Sequence, residues 1–422
     1  MVKKVSQISR KRVDRAKHFS PAGTEGEVLC PVARTCGGCT CIDVPYDEQL
    51  RAKDAYVAGL FGETFPTVEL RPTLGMDDPF HYRNKVTSPF APGKRGPNGG
   101  REILTGMYAA GSHRIISTDG CLLENEQAQQ VVRAIKSIMK KHGVAPYDED
   151  KGTGFMRHVV VRVGHESEEV LVTLVTNEEE FPSSKAFCRE LVKRCPFITS
   201  IVQNVNTRQT NVILGEREQR LYGPGFILDT LCGLSFRISS RSFYQVNATQ
   251  TAVLYEQAIA FADLGSGQVA VDAYCGTGTI GLVAAKRSGA EVVGVDSVES
   301  AIRDARENAR HNGIDNARFV AADATAFMRE LAAEGKQVDV VFMDPPRAGS
   351  TEEFLDALVA LAPRRVVYVS CNPETQLRDV RYLMPLGYRL DIVQPVDMFP
   401  HTDHVETIAL ITKSDNKQRK TT

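Results

Sequence analysis

Residues 271–278 read VDAYCGTG, and this stretch decides the fold. It ends an apolar strand with a glycine-rich turn, and the next residues, TIGLVAAKRSG, have a helical pattern that stops at a glycine. Glycines let the backbone approach a ligand closely, and the start of a helix offers free N–H groups. The stretch therefore predicts a strand, a ligand-binding turn and a helix in succession.

The sequence that follows repeats this alternation of strand and helix. Further strands are predicted at EVVGVD, ARFVAAD, VDVVFMD, RRVVYVSC and VETIALIT, and a helix at SAIRDARENARHNG. Continuous apolar strands that alternate with helices predict a mostly parallel sheet covered on both faces. We place this α/β, Rossmann-like domain at residues 236–413.

The sequence before residue 236 has a different character. Short alternating segments such as RHVVVRVG and EVLVTLVT predict a mainly antiparallel sheet, so we expect an α+β central domain at residues 29–235. Residues 45–62 are helix-like, and we expect them to pack on the Rossmann-like domain. A basic flexible arm (1–28) and a polar tail (414–422) complete the predicted organisation.

Composition restricts the kinds of partner and the compartment. The chain has 422 residues, with 51 Lys and Arg against 52 Asp and Glu, so a nucleic acid must be met by a local basic patch. No run of 18 apolar residues and no secretory signal is found. We therefore expect a cytoplasmic protein without a membrane partner, in which the ten cysteines are ligands, nucleophiles or core residues.

Carboxylates at the ends of successive strands predict the type of cofactor. Asp296 ends the strand after the glycine-rich turn and is placed to bind ribose hydroxyls, and Asp323 ends the next strand, where it can accept a hydrogen bond from an adenine amino group. These features fit adenosyl cofactors in general. We favour S-adenosylmethionine, and NAD is the alternative.

Two later strand ends carry further reactive residues. DPPRAG (344–349) fixes Asp344 at the edge of the sheet through two prolines, and its arginine differs from the tyrosine of the DPPY motif typical of amino-group methylation. VVYVSCNPET (366–375) places Cys371 directly after a strand, where ligands of open α/β sheets bind. The alternatives for Cys371 are a nucleophile and a packed core residue.

These motifs together identify a family. With FYQVN (243–247), DPPRAG, VVYVSCNPET and VDMFPHTDHVE (396–406), the chain resembles the RNA uridine-5-methyltransferases from Cys30 to about residue 412. That family makes 5-methyluridine in transfer and ribosomal RNA. The resemblance implies that Cys371 is the nucleophile and Glu406 the general base. For Cys371 to act, we expect an electropositive setting that lowers the pKa of its thiol.

The resemblance also implies a cofactor pocket. Its expected positions are Gln245, Tyr274, Gly276, Thr279, Asp296, Asp323 and Asp344.

A cluster of cysteines predicts a metal centre. In CPVARTCGGCTC, Cys30, Cys36 and Cys39 have a spacing that suits a metal ion or cluster, and Cys41 or Cys121 can supply a fourth ligand. A four-cysteine zinc site usually shows two C-x₂-C pairs, and only one is visible here. The resemblance favours a [4Fe–4S] cluster held by Cys30, Cys36, Cys39 and Cys121. It also favours 23S ribosomal RNA as the substrate.

The predicted function is S-adenosylmethionine-dependent methylation of uridine C5 in RNA by a monomer. Candidate RNA contacts are HYRNKV (81–86), whose alternative is a solvated strand edge, with Arg162 and Arg208 as weaker candidates. The alternatives to 23S ribosomal RNA methylation are the same reaction on transfer RNA and an RNA-binding assembly factor. An amino-group methyltransferase is a third alternative.

Overall fold

The computed structural model describes residues 30–95 and 101–414. The predicted arm (1–28) and all of the predicted tail except Ser414 lie outside these residues. In chain order the described strands are β1 (Glu69–Leu70), β2 (Lys85–Arg95), β3 (Arg101–Thr105), β4 (Met107–Tyr108), β5 (Ile115–Ile116), β6 (Met156–Val163), β7 (Val170–Thr176), β8 (Ile198–Val205), β9 (Arg217–Tyr222), β10 (Phe226–Leu231), β11 (Leu234–Ser239), β12 (Val269–Ala273), β13 (Glu291–Asp296), β14 (Ala317–Ala321), β15 (Val340–Met343), β16 (Arg365–Ser370), β17 (Tyr388–Val396) and β18 (Glu406–Lys413).

The described helices are α1 (Tyr46–Phe61), α2 (Glu126–His142), α3 (Ser184–Arg194), α4 (Ala248–Ala262), α5 (Thr279–Ser288), α6 (Glu299–His311), α7 (Ala324–Ala333), α8 (Glu352–Leu361) and α9 (Pro373–Leu383). A short 3₁₀ turn, Met384–Leu386, follows α9. None of the helices in the described part of the chain is long and apolar enough to cross a membrane.

The larger sheet has eight strands in the order β1-β17-β18-β16-β15-β12-β13-β14. Strands β12 to β16 pair in parallel, as predicted, while β18 lies antiparallel between β16 and β17. Strands β1 and β17 were not predicted. β1 is too short for a periodic signal, and β17 mixes charged residues with Pro395, which is typical of strands near an edge.

Both faces of this sheet are covered, because its strands alternate between two cores. Along β15, Val340 and Phe342 pack in the core beneath α4, α5 and α6, whereas Val341 and Met343 face α7, α8 and α9. Helix α1 contributes Tyr56 and other residues to the second core, so this helix packs on the larger sheet.

The second sheet has six strands in the order β3-β2-β6-β7-β8-β9, and only the β7–β8 pair is parallel. Helices α2 and α3 cover one face through a core that includes Val159, Val161 and Phe187. Alternate residues of the same strands point to the other face, where Leu171 and Val202 join the core of the Rossmann-like domain. The boundary at residue 235/236 stays a prediction.

Candidate active site

A cavity of about 600 Å³ lies at the carboxyl ends of the parallel strands. This size is in the range of small-ligand sites. Most of the predicted catalytic and cofactor residues line it. Those are Gln245, Tyr274, Gly276, Thr279, Asp296, Asp344, Cys371 and Glu406. Asp323 does not line it: its side chain caps α7 by accepting a hydrogen bond from Ala326 N, 2.9 Å away.

The glycine-rich turn forms one wall of the cavity. Gly276 and Gly278 have φ angles of 54° and 79°, which L residues with a side chain rarely adopt. A Cβ atom on Gly278 would also lie 2.7 Å from the ring of Phe319. The N–H of Gly276 donates to Asp296 Oδ2 at 3.0 Å, so the two cofactor positions are joined before any ligand binds.

Asp272 braces the same turn from inside and was not among the predicted site residues. Its Oδ2 accepts a hydrogen bond from Gly281 N at 2.9 Å, and burial raises the pKa of its carboxyl to about 7. Its position, one residue before the strand end, gave the sequence analysis no separate signal. Thr279 already shares a 2.8 Å hydrogen bond with Tyr255 Oη, so a cofactor contact from Thr279 would have to be added to that bond.

Cys371 lies half-buried where β16 ends and α9 begins. The expected lowering of its pKa is wrong for the protein without ligands. Burial raises the pKa of the thiol, and the nearby carboxyls of Glu406 and Asp344 raise it further. Arg347 opposes them through its charge and a hydrogen bond to the thiol. Arg347 is therefore the cation that acts on the thiol.

Glu406 is the first residue of β18 and is buried. Burial raises the pKa of its carboxyl to about 8; Asp344 adds to that shift, and Arg347 opposes it. Burial likewise raises the pKa of Asp344 to about 7. Near neutral pH without ligands, Glu406 is thus mostly protonated and Asp344 partly so. A site of this kind can exchange protons at physiological pH.

A buried ion pair fixes the loop that leads to Glu406. Asp397 lies in this loop and Lys53 lies on α1, and the side chains of both are fully buried. Lys53 Nζ is 2.5 Å from Asp397 Oδ1. Tyr46 Oη donates to the other oxygen of Asp397 at 2.9 Å. Farther along the loop, His401 N donates to Gln49 Oε1 at 2.9 Å. Helix α1 therefore holds the segment immediately before the candidate base.

The four predicted cluster cysteines line a second, smaller cavity of about 60 Å³. Burial raises the pKa of the Cys39 thiol to about 12, and Cys121 and Cys36 are close enough to raise it further. Gly37 lets the cysteine-rich segment lie close to the backbone of Tyr108, because a Cβ atom on Gly37 would be only 2.8 Å from Tyr108 O. Within the described ranges, no three His, Cys, Asp or Glu side chains form a group that could hold a metal ion.

The HYRNKV segment does not form a single RNA-binding patch. Tyr82 is buried and donates to Pro400 O, so it is not available to stack on a base. Arg83 lines the smaller cavity with the four cysteines. Lys85 and Arg162 line the larger cavity, which contains Cys371 and Glu406 and is called the catalytic cavity below. Arg208 is exposed and lies 3.6 Å from Glu216.

Three residues that line this cavity were not predicted from the sequence to lie there. Lys85 and Arg162 were considered only as RNA contacts, although strand pairing places them at the catalytic cavity. Phe243 lines the same cavity with 70% of its surface exposed. An exposed aromatic residue next to Gln245 in FYQVN is the signal that could have identified it.

Comparisons with known proteins agree with this geometry. Residues 264–408 match a family model described as a methyltransferase domain. The chain is 44% identical over 387 residues to an uncharacterized RNA methyltransferase of Halalkalibacterium halodurans, covering 91% of this chain and 83% of that protein. A similar protein of Staphylococcus aureus is 42% identical over 383 residues, covering 90% and 83%.

Among solved structures, the chain is similar to the tRNA (uracil-54, C5)-methyltransferase of Pyrococcus abyssi in complex with S-adenosyl-L-homocysteine. The TM-score is 0.73 and the identity 32%, and the match covers 90% of this chain and 86% of that one. The Rossmann-like methyltransferase fold predicted from the sequence is thereby confirmed. The chain belongs to the S-adenosylmethionine-dependent RNA methyltransferases.

Proposed function

We propose that this enzyme methylates C5 of a uridine in RNA, with Cys371 as the nucleophile and Glu406 as the general base. The observation that carries the proposal is that this thiol and this carboxyl share one cavity with the glycine-rich turn. Methyl transfer to an exocyclic amino group has no use for a cysteine at this place.

The reaction follows from the weak nucleophilicity of uracil C5. The Cys371 thiolate adds to C6, which breaks the C5–C6 double bond and gives C5 carbanion character. C5 then attacks the methyl group of the sulfonium, and the methyl–sulfur bond breaks to leave S-adenosylhomocysteine. The Glu406 carboxylate removes the C5 proton, the bond from C6 to sulfur breaks, and the thiolate is regenerated.

This order of events requires Cys371 and Glu406 in their ionised forms, which burial and the neighbouring Asp344 carboxyl disfavour. A sulfonium cation in the cavity lowers the pKa of nearby carboxyls and thiols, because it stabilises their charged forms. The raised pKa of Glu406 therefore describes the resting enzyme, and binding of the methyl donor favours ionisation of both Cys371 and Glu406. Arg347 acts in the same direction on the thiol.

The methyl donor is assigned to the glycine-rich side of the cavity. Asp296 is placed for ribose hydroxyls, and Tyr274, at the end of β12 with a φ of 63°, projects from a strained backbone next to the turn. The proposed set consists of Gln245, Tyr274, Gly276, Thr279, Asp296 and Asp344, which line the cavity, and of Asp323, which lies outside its lining and caps α7.

A [4Fe–4S] cluster is proposed at Cys30, Cys36, Cys39 and Cys121. The donor set fits the group, because the four thiols line one small cavity. The four cysteines would hold the cluster by supplying one thiolate each. When bound, the cluster would tie the region of Cys121 to the segment around Cys36.

The proposed substrate is 23S ribosomal RNA, and transfer RNA is the second candidate. The first rests on the cysteine set, which the resemblance associates with ribosomal RNA enzymes. The second is favoured by a separate observation: the similar solved structure from Pyrococcus abyssi is a transfer-RNA enzyme.

The test uses the purified protein, labelled S-adenosylmethionine, and unmodified 23S ribosomal RNA and transfer RNA in parallel. We expect label in 5-methyluridine of 23S RNA, identified by mass spectrometry. Cys371→Ala should abolish the product, while Cys232→Ala, at a cysteine that lines neither cavity, should retain it.

The outcomes separate the alternatives. Label only in transfer RNA would keep the mechanism and change the substrate. Label on an exocyclic nitrogen that survives in Cys371→Ala would indicate amino-group methylation. No methylation by a folded, iron-loaded protein would favour an RNA-binding assembly factor.

A further inference from the structure

Two cations stand directly opposite each other in the wall of the catalytic cavity. Lys85 of β2 and Arg162 of β6 are partners in the antiparallel pairing of these strands. Directly opposite residues point to the same face of a sheet, and like charges at such positions repel each other. Both side chains line the cavity that contains Cys371.

Neither cation has an anionic partner in the described part of the chain. Arg162 is 6% exposed; its Nη2 donates to Ser242 O at 2.5 Å, and its Nε is buried without a hydrogen-bond partner. No ion pair or hydrogen bond of the Lys85 ammonium is found among these residues. Arg162 is buried and Lys85 is half-buried, and two unpaired like charges side by side in such a place are unfavourable unless an anion joins them.

The carboxyls of the cavity do not provide this anion. Burial lowers the pKa of Lys85 to about 8, and the charges that contribute to the shift are those of Arg162 and Arg83, which lower it further. Among the residues that the structure describes, no carboxylate opposes that effect. Asp344 and Glu406 therefore act on Cys371 at another part of the cavity.

The surroundings of the two cations match a nucleotide. Ser242, which accepts the hydrogen bond from Arg162, precedes the exposed Phe243. Asn84, next to Lys85, donates to Gln245 O at 3.2 Å, so the same segment is fixed from both strands. An exposed aromatic ring beside paired cations is typical of single-stranded nucleic-acid sites, where the ring stacks on a base and the cations bind the backbone.

We propose that Lys85 and Arg162 together bind one backbone phosphate of the RNA next to the target nucleotide. The inference rests on the proposed function, since a base that reacts with Cys371 must leave its stack and enter the cavity. A phosphate held at the wall anchors the backbone while the base turns inward. Other anions at this place, above all the carboxylate of the methyl donor, are outcomes of the test.

The first experiment compares Lys85→Gln with Lys85→Arg and with Lys140→Gln. Lys140 is an exposed residue of α2, which covers the opposite face of the same sheet. We expect Lys85→Gln to raise the KM for RNA about tenfold, with the KM for S-adenosylmethionine unchanged. The dependence of log Kd for RNA on log salt should become shallower by about one, because one phosphate contact is lost. Lys140→Gln should behave as the wild type, and Lys85→Arg, which keeps the positive charge, should retain the salt dependence of the wild type.

The second experiment removes the charge from the RNA. Once the modified uridine is mapped, a short RNA is synthesised with an uncharged methylphosphonate linkage beside it. The wild type should lose about tenfold in affinity on this RNA, whereas Lys85→Gln should lose little more than it has already lost. Arg162→Lys, which keeps the charge, should remain sensitive to the linkage.

Two results would overturn the proposal. A rise in the KM for S-adenosylmethionine alone would assign the cations to the carboxylate of the donor. Equal sensitivity of wild type and Lys85→Gln to the uncharged linkage would leave Lys85 with a merely structural role. If the wild type forms no 5-methyluridine, the proposed function fails, but the Kd for RNA and its salt dependence still decide the phosphate site.

Discussion

At the scale of single residues, burial of the Glu406 carboxylate lowers the free energy of unfolding at high pH. Its carboxyl has a pKa of about 8 in the folded protein against an ordinary value of 4.5. The folded state therefore binds the proton more tightly, and stability is lost as the pH rises from about 4.5 through about 8. Glu406→Gln removes this loss and should stabilise the unliganded protein at pH 8 by roughly 2–4 kcal/mol, but not at pH 4.5.

Thermal unfolding of the unliganded protein at the two pH values measures this effect. The control is Glu330→Gln, an exposed position on α7, which should leave the melting temperature unchanged at both. An equal shift for Glu406→Gln at pH 4.5 and pH 8 would show that titration of the carboxyl is not the cause.

The sequence predicts which residues line the cavity better than it predicts their environment. Cys371 and Glu406 were singled out through the family resemblance, and both line the cavity. The pKa of Cys371 was expected to be low, but it depends on burial and on Glu406 and Asp344, which approach it only through the fold. Lys85 and Arg162 also needed the structure, because strand register, which brings them together, cannot be read from either segment alone.

At the scale of elements, the turn between β12 and α5 depends on Gly278. Its φ is 79°, a backbone conformation that residues with a side chain rarely adopt. A Cβ atom at this position would also clash with the ring of Phe319, only 2.7 Å away. Gly278→Ala should lose about 1–2 kcal/mol from backbone strain. It should also bind S-adenosylmethionine more weakly, because the ring and the turn must separate.

Gly289→Ala is the matched control for this substitution. Gly289 ends the same helix with a φ of 70°, and its nearest neighbour, Ser266 Cβ, lies 3.8 Å away. Gly289→Ala therefore introduces the same backbone strain as Gly278→Ala, but no steric clash. The Gly289→Ala protein should be less stable, and a calorimetric titration should show an unchanged affinity for S-adenosylmethionine. Equal affinity losses in both variants would refute a specific role of the Gly278–Phe319 contact.

The regular elements of the catalytic domain were predictable because each is a local pattern. The strand Val366–Ser370 was predicted and is observed as Arg365–Ser370. Strand β17 was missed, because its Tyr388–Val396 sequence is stabilised by pairing with β18 and not by its own periodicity. Tertiary pairing of this kind overrides local propensity.

At the scale of the whole molecule, the cysteine-rich segment and the catalytic loop are one hydrogen-bonded unit. The N–H groups of Thr40 and Cys41 donate to His401 O, at 3.1 and 3.2 Å. Tyr82 Oη donates to Pro400 O from the central domain. Residues before β2 thus hold the loop that leads to Glu406, a contact that no local motif indicates.

The buried pair of Lys53 and Asp397 tests this coupling. Lys53→Met leaves a carboxylate buried without its charge partner, which should cost about 3–5 kcal/mol. Arg51→Met, on the same helix, removes an exposed pair with Asp47 and should cost less than about 1 kcal/mol. Denaturant unfolding compares the two variants, and adding Asp397→Asn to Lys53→Met should recover part of the loss.

The same variants show whether the ion pair also positions the base. If α1 holds the loop, Lys53→Met should increase hydrogen exchange in residues 397–405 and lower the methylation rate of the folded protein, with the KM for the donor little changed. Arg51→Met should change none of these. Faster exchange in α1 without faster exchange in the loop would make the pair a local stabiliser of the helix, and the position of Glu406 would then depend on the pairing of β18 with β16 and β17.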